Sequence, residues 1–318
     1  MNRKISLVIN KSEITAGTRG ASLGPEAIMT AARASENTFF CNYPKRHVKD
    51  MNEMLDAEVK FPTAKRIKGL VRVFESVVEE VGGVLRSDGF PLVLAADHGS
   101  AGGTIAAIKS VYPEKRLGVI WIDAHGDLHT PYTTPSGNMH GMPLATALGE
   151  DNKACQRNEP TSEVANDWEV LKGMGGVSPK IKPEDLVFIA VRDTEPEEDH
   201  LISELDITNH TVQKVREQGV EAVINETLEQ LKDCDIIYVS FDVDSMDPEL
   251  TSNGTGTPVP LGLTPDEAKE FLNAFSESDR LCCLEIVEVN PCLDDKVNKM
   301  AETTFSLLES LTNVLESK

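Results

Sequence analysis

No stretch of this 318-residue sequence approaches the ~18 consecutive apolar residues that a membrane helix needs, so the expectation is a protein with no membrane partner. The apolar run at 5–9, behind Arg3 and Lys4, is too short for the core of a secretory signal, and a cytoplasmic location is expected. The six cysteines form no Cys-x-x-Cys pair and no even spacing. They read as free core thiols in a reducing compartment rather than a disulfide framework. Basic charge is also scarce. Thirty-one Lys+Arg stand against 52 Asp+Glu, and the net charge of −21 would repel a phosphate backbone, which excludes nucleic acid as a partner. The same excess suits a cationic substrate or divalent metal, although it also serves plain solubility. Internal repeats, low-complexity tracts and a break between domains are all missing.

What is present is an alternation of strand and helix. Short runs rich in Val, Ile and Leu at 5–9, 91–96, 117–122, 186–191, 236–241 and 281–289 have the character of buried parallel strands. Between them, 66–86 carries Ile67, Leu70, Val71, Phe74, Val77, Val78, Val81 and Leu85 at helical spacing. Further helices are expected to begin near Pro25, Ala101, Pro143, Val220, Pro265 and Lys296. At one of these, Thr264-Pro265-Asp266-Glu267 offers a cap, a proline at the first position and acids in the first turn. This order predicts an α/β fold: one three-layer αβα domain over 1–318 with a mostly parallel sheet. The polar stretch 150–182 interrupts the rhythm and is read as an excursion with at most one short helix around 166–171.

The chemistry lies just past the strands. Asp97-His98 follows the second run, Asp123-Ala124-His125-Gly126-Asp127 the third, Arg192, Asp193 and Glu195 the fourth, and Asp242-Val243-Asp244 the fifth, while the last run holds Glu285 and Glu288. Ligand sites in open parallel sheets form outside the carboxyl ends of the strands, so these groups should converge. If the segments stay extended, alternate residues share a side, and Asp123, His125 and Asp127 face one point, as do Asp242 and Asp244. A lone His98 is more often a turn residue, and a single Asp-x-Asp is often a solvated strand end. Asp-x-His-x-Asp at the end of Val119-Ile120-Trp121-Ile122 has no packing role, and the combination favours bound metal. Imidazole and carboxylate ligands without thiolate fit a pair of Mn²⁺ ions better than structural zinc. Two such ions activate water, so the expected class is a two-metal hydrolase.

Ala95-Ala96-Asp97-His98, Asp123-Ala124-His125-Gly126-Asp127, Ser240-Phe241-Asp242-Val243-Asp244 with Asp247-Pro248, Gly254-Thr255-Gly256-Thr257-Pro258 and Glu288-Val289-Asn290-Pro291 together resemble the ureohydrolase (arginase/agmatinase) family. Thr133-Thr134-Pro135-Ser136-Gly137-Asn138-Met139-His140-Gly141 and Val191-Arg192-Asp193-Thr194-Glu195-Pro196 with Glu198 are similar to the arginase version. The resemblance implies an arginase/deacetylase-like fold, two Mn²⁺ ions per chain and hydrolysis of L-arginine to L-ornithine and urea. By motif position, one ion would be held by His98, Asp123, Asp127 and Asp242, the other by Asp123, His125, Asp242 and Asp244. Glu288 would pair with the guanidinium, and Asp127 and His140 would handle the proton of the leaving amine. His129, Thr134, Ser136, Asn138, Glu195 and Glu198 would meet the amino-acid end. A homo-oligomer, trimer or hexamer, is implied as well.

The sequence departs from the arginase pattern in four places. Ala95-Ala96 stands for Gly-Gly, His129 for Asn and Glu195 for Asp, and one residue is inserted after Pro248. The rival readings are a ureohydrolase acting on agmatine, guanidinobutyrate or formiminoglutamate, and a non-catalytic relative that binds a cation.

Overall fold

The structure is a computed structural model describing residues 3–317. In chain order its elements are β1 (Ile5–Asn10), α1 (Gly24–Ala34), β2 (Lys45–His47), α2 (Ile67–Arg86), β3 (Phe90–Ala95), α3 (Ala101–Val111), β4 (Leu117–Ile122), α4 (Pro143–Leu148), α5 (Ser162–Gly173), β5 (Leu186–Ile189), α6 (Pro196–Glu204), β6 (Thr208–His210), α7 (Val212–Gln218), α8 (Val220–Gln230), β7 (Ile236–Asp242), α9 (Pro265–Ser276), β8 (Leu281–Val287) and α10 (Lys299–Glu316). The strands make one sheet in the order β2-β1-β3-β8-β7-β4-β5-β6. Every pairing is parallel.

β3, β4 and β7 are buried along their whole length, which requires cover on both faces. Two apolar clusters supply it. One gathers Ile28 of α1, Val215 of α7, Val223 of α8, Phe271 of α9 and Leu308 of α10 beneath one face; the other gathers Phe74 of α2, Ile105 of α3, Leu144 of α4, Trp168 of α5 and Leu201 of α6 beneath the opposite face. The three layers follow from a sheet whose core strands carry apolar side chains on both sides.

The differences from the sequence reading fall in polar segments. β2 and β6, three residues each at the two sheet edges, have no apolar run to announce them. Lys45-Arg46-His47 is exposed, as suits an edge that must not recruit another strand. α6 and α7 are likewise unannounced by periodicity and are set by their caps, a Glu195/Glu198 capping box and the Thr211 hydroxyl. Within 150–182 the helix is α5, twelve residues long, rather than a short turn around 166–171. Its Trp168 is fully buried in the second apolar cluster, which anchors the excursion to the body, and donates to Asp151 Oδ1 at 3.0 Å within the excursion itself. β5 ends at Ile189 and β8 at Val287, earlier than the apolar runs, because Ala190 (φ 72°) and Glu288 (φ 69°) turn the chain out of the sheet.

The strand order decides where a site can form. β3 and β4 are successive in the chain but are separated in the sheet by β8 and β7. The loops after these four central strands therefore face one another across a crevice at the carboxyl edge.

Candidate metal centre

His98 opens the turn after β3. Asp97 Oδ2 fixes that turn by accepting from Thr15 N at 2.9 Å, and the His98 backbone N–H donates to Glu288 Oε1 at 2.9 Å. The imidazole stacks on Trp121 with ring centres 4.0 Å apart and planes 4° from parallel. Its Nε2 lies 2.8 Å from Ser240 Oγ, which turns Nδ1 toward Asp123 (3.0 Å), Asp242 (3.2 Å) and Asp127 (3.3 Å).

Asp123 follows β4 directly. Its Oδ2 accepts from Trp121 Nε1 at 2.9 Å and its Oδ1 from His125 N at 2.8 Å. His125 Nδ1 then lies 3.1 Å from Asp244 Oδ2 and 3.4 Å from Asp123 Oδ1. The ionisable groups converge, but not by simple alternation along extended chain. The segment after Asp123 bends, and Asp127 sits at φ 52°, so its carboxylate is delivered by a left-handed residue. β7 gives way after Asp242 to a tight turn in which Asp242 Oδ1 accepts from Asp244 N at 2.8 Å. Short acidic side chains that bond their own backbone favour such turns over strand.

Two candidate ligand groups result. His98, Asp123 and Asp127 form one, and Asp123, His125 and Asp244 the other, with the ligand atoms of each within 4.8 Å of one another. Asp123 belongs to both, and Asp242 stands beside the first.

The electrostatics explain why such a cluster calls for cations. Burial, then the neighbouring Asp123, pushes Asp127 well above the usual carboxylate range; burial, then Asp244 and Asp123, does the same to Asp242. Burial works against a charged His98, yet the carboxylates of Asp123 and Asp242 outweigh it and hold the ring well above its ordinary value. Without metal, protons alone relieve the repulsion. The residues fit divalent ions on one further observation: His98 Nδ1 and Asp127 Oδ2 are both buried and make no hydrogen bond. Orphaned polar atoms pointing at a shared space are what a metal ion satisfies.

Above this cluster lies a cleft of about 260 Å³. Thr134, Ser136 and Asn138 line it on the loop before α4, Asp193 and Glu195 on the segment leading into α6 and Glu198 in its first turn, with His129, His140 and Glu288 also at its surface. His140 Nδ1 is 3.7 Å from Glu288 Oε1; burial opposes its charge, but Glu288 raises it overall. His129 is the reverse case. Burial brings it down to about 4, its Nδ1 is 3.1 Å from Thr133 Oγ1, and its Nε2 is buried without a partner, 3.4 Å from Glu195 Oε2. At neutral pH it is an uncharged ring. Glu198 spends both oxygens on backbone, accepting from Leu128 N (3.0 Å) and Glu195 N (3.1 Å), so it clamps the Asp127 loop to α6.

Four residues with a part in this geometry had no role assigned from sequence: Trp121, Ser240, Thr257 and Lys65. Trp121 and Ser240 each stand two residues before a ligand on a strand, and the period of two that puts them on the ligand's side was readable. Thr257, whose Oγ1 is 3.1 Å from Asp244 Oδ2, comes from a loop, and Lys65 from the approach to α2, where no periodicity applies.

Residues 4–313 match the Arginase family. The chain belongs to the arginase family. It is 35% identical to the arginase of Bacillus subtilis (strain 168) over 314 residues, covering 98% of each chain, and 35% identical to that of Bacillus caldovelox, covering 97% of this chain and 98% of the other. The crystal structure of the Bacillus caldovelox arginase superposes with a TM-score of 0.81 at 34% identity, covering 98% of each chain. The eight-stranded parallel sheet and the crevice at its carboxyl edge are thus those of an arginase fold.

Proposed function

We propose that this protein is an arginase, a hydrolase that cleaves the guanidinium C–N bond of L-arginine to give L-ornithine and urea. Family membership and arginases at about 35% identity over nearly the whole chain support the activity. The observation that carries it to this chain's own residues is the pair of candidate ligand groups joined through Asp123, with His98 Nδ1 and Asp127 Oδ2 of the first group buried and without a hydrogen bond. We assign two Mn²⁺ ions, one to His98, Asp123, Asp127 and Asp242 and one to Asp123, His125, Asp242 and Asp244. When bound, such ions supply water activation near neutral pH and offset the carboxylate charge.

The remaining chemistry belongs to the chain. Guanidinium is a cation and a poor electrophile, so it must be held with its carbon facing the activated water. Glu288, fixed by the His98 N–H, presents a carboxylate to the planar fork through charge-assisted hydrogen bonds. As water adds to the guanidinium carbon and the bond to the side-chain nitrogen breaks, that nitrogen requires a proton. Asp127 and His140, both lining the cleft, supply and relay it. Thr134, Ser136, Asn138 and neutral His129 meet the α-carboxylate, while Glu195 and Glu198 place negative charge beside the α-ammonium.

The test is urea release from L-arginine, agmatine and guanidinobutyrate before and after chelation and with Mn²⁺ restored. Arginine should be turned over only with metal; an equal or higher kcat/KM for agmatine would assign the chain to that substrate. We extend the reading to a cytoplasmic homo-oligomer, trimer or hexamer, in keeping with the prevalence of closed symmetric assemblies; light scattering after size exclusion checks the size.

A further inference from the structure

The cleft wall is acidic, yet an arginine brings a carboxylate as well as two cationic groups. Thr134, Ser136 and Asn138 offer neutral donors, and none of the residues lining the cleft is a lysine or an arginine. Just behind that wall, however, Lys65 Nζ donates to Asn138 Oδ1 at 2.9 Å. Lys65 is half-buried and has no carboxylate within 4.0 Å among the described residues, in a sequence with 52 acidic groups. Its single side-chain acceptor is a neutral amide, which leaves two ammonium donors and a full charge uncompensated.

A purely structural account of this side chain is weak. The loops that Lys65 would join are already joined by backbone, through Lys65 N to Gly137 O at 2.8 Å. Gly137 itself (φ 73°) packs so tightly that a Cβ there would fall 1.7 Å from Pro62 O. The tether is complete before the ammonium is considered. The neighbourhood also gathers like charge. Burial and then the nearby Arg19 pull Arg66 below its usual range, and neither arginine has a carboxylate within 4.0 Å among the described residues; Arg19 donates to the carbonyl of Ala16 and Arg66 to that of Met54. Segment 17–19 adjoins the cleft, since a Cβ on Gly17 would meet Asn138 Nδ2 at 2.7 Å and Thr18 Oγ1 stands close to Gly256. A basic rim thus borders an acidic cavity on the side of Ser136 and Asn138.

We infer that Lys65 is a specificity-determining residue, the cation that favours a guanidino substrate bearing an α-carboxylate over its decarboxylated counterpart. This rests on the arginase reading above and deepens it. Lys65 acts in two ways: it fixes the rotation of the Asn138 amide, and it places positive charge behind the donors that the carboxylate meets. The effect is on substrate binding and not on bond cleavage, because Lys65 does not line the cleft and meets it only through Asn138.

The experiment compares Lys65→Met and Lys65→Arg with wild type, all loaded with Mn²⁺, on L-arginine and agmatine. A partly exposed charge-assisted hydrogen bond implies a rise of about tenfold in KM for arginine in Lys65→Met, with kcat within about twofold. Agmatine kcat/KM should be unchanged or higher, and Lys65→Arg should restore the arginine KM. Calorimetry gives a second readout: L-ornithine affinity should fall in Lys65→Met and putrescine affinity should not. Equal losses on arginine and agmatine would show a structural tether, and unchanged arginine KM would show a bystander; either overturns the role of Lys65 while leaving arginase activity standing. Wild type inactive on arginine but active on agmatine would overturn both readings together.

Discussion

Ser240 Oγ and His98 Nε2, 142 residues apart in sequence, lie 2.8 Å apart in the buried floor of the cleft. When Nε2–H donates to the serine, the unprotonated Nδ1 is the nitrogen turned to the carboxylates, the tautomer that a metal ion requires. Ser240→Ala should therefore weaken Mn²⁺ binding at the first ligand group by about 10- to 100-fold while leaving the fold intact. Metal titration calorimetry with circular dichroism decides it, and an unchanged affinity would mean that Trp121 stacking alone orients the ring.

Glu288 offers a cleaner separation of binding from chemistry. Glu288→Gln keeps an oxygen for the His98 N–H but removes the charge facing the guanidinium. Metal content should stay at the wild-type level and kcat/KM for arginine should drop by at least about 100-fold. Loss of metal in the same variant would show that Glu288 holds the ligand turn and not the substrate.

Gly137 tests the loop that carries Ser136 and Asn138. A methyl group would meet Pro62 O at 1.7 Å and would also strain a backbone at φ 73°. Gly137→Ala should cost about 2 to 3 kcal/mol of stability and raise the arginine KM more than it lowers kcat. Urea denaturation and steady-state kinetics on the same preparation give both numbers.

Lys180 carries a pH prediction away from the site. Its ammonium is buried and donates to the carbonyls of Thr146, Leu171 and Lys172, and burial, with a smaller push from Lys172, lowers it to about 7. Between pH 7 and the ordinary lysine range near ~10.4, the unfolded chain holds a proton that the folded chain has released. This contribution to stability therefore rises with pH across that window and is lost as pH falls toward 7. Wild type should gain on the order of 2 kcal/mol over Lys180→Met between pH 7 and 9.5. Parallel unfolding curves at both pH values would show that the three carbonyls keep the lysine charged.

Much of the sheet was legible because its central strands announce themselves as apolar runs, and the convergence of ionisable groups at its carboxyl edge because charged groups after buried strands have no packing use. The polar edge strands β2 and β6 carry no such signature. The capping helices α6 and α7 depend on one or two side-chain bonds that composition does not reveal. At the site, the residue types could be named from sequence, but their arrangement could not. Asp127 and Glu288 reach it through left-handed backbone, and no alternation rule anticipates a positive φ at an acidic residue. Lys65 was invisible for a different reason: its relation to Asn138 spans 73 residues and exists only once two loops have met.

The placement of β8 between β3 and β7 has a consequence for how the molecule assembles. His98 receives its backbone partner from Glu288, 190 residues later, so the His98 turn is not fully locked until the penultimate element has entered the middle of the sheet. Nonlocal pairing of this kind is slow to form, and a nascent or truncated chain lacking β8 exposes the open edges of β3 and β7 side by side. With the proposed ligands, metal capture would then be a late checkpoint, since it needs Asp242 and Asp244 at the end of β7 together with a locked His98 turn.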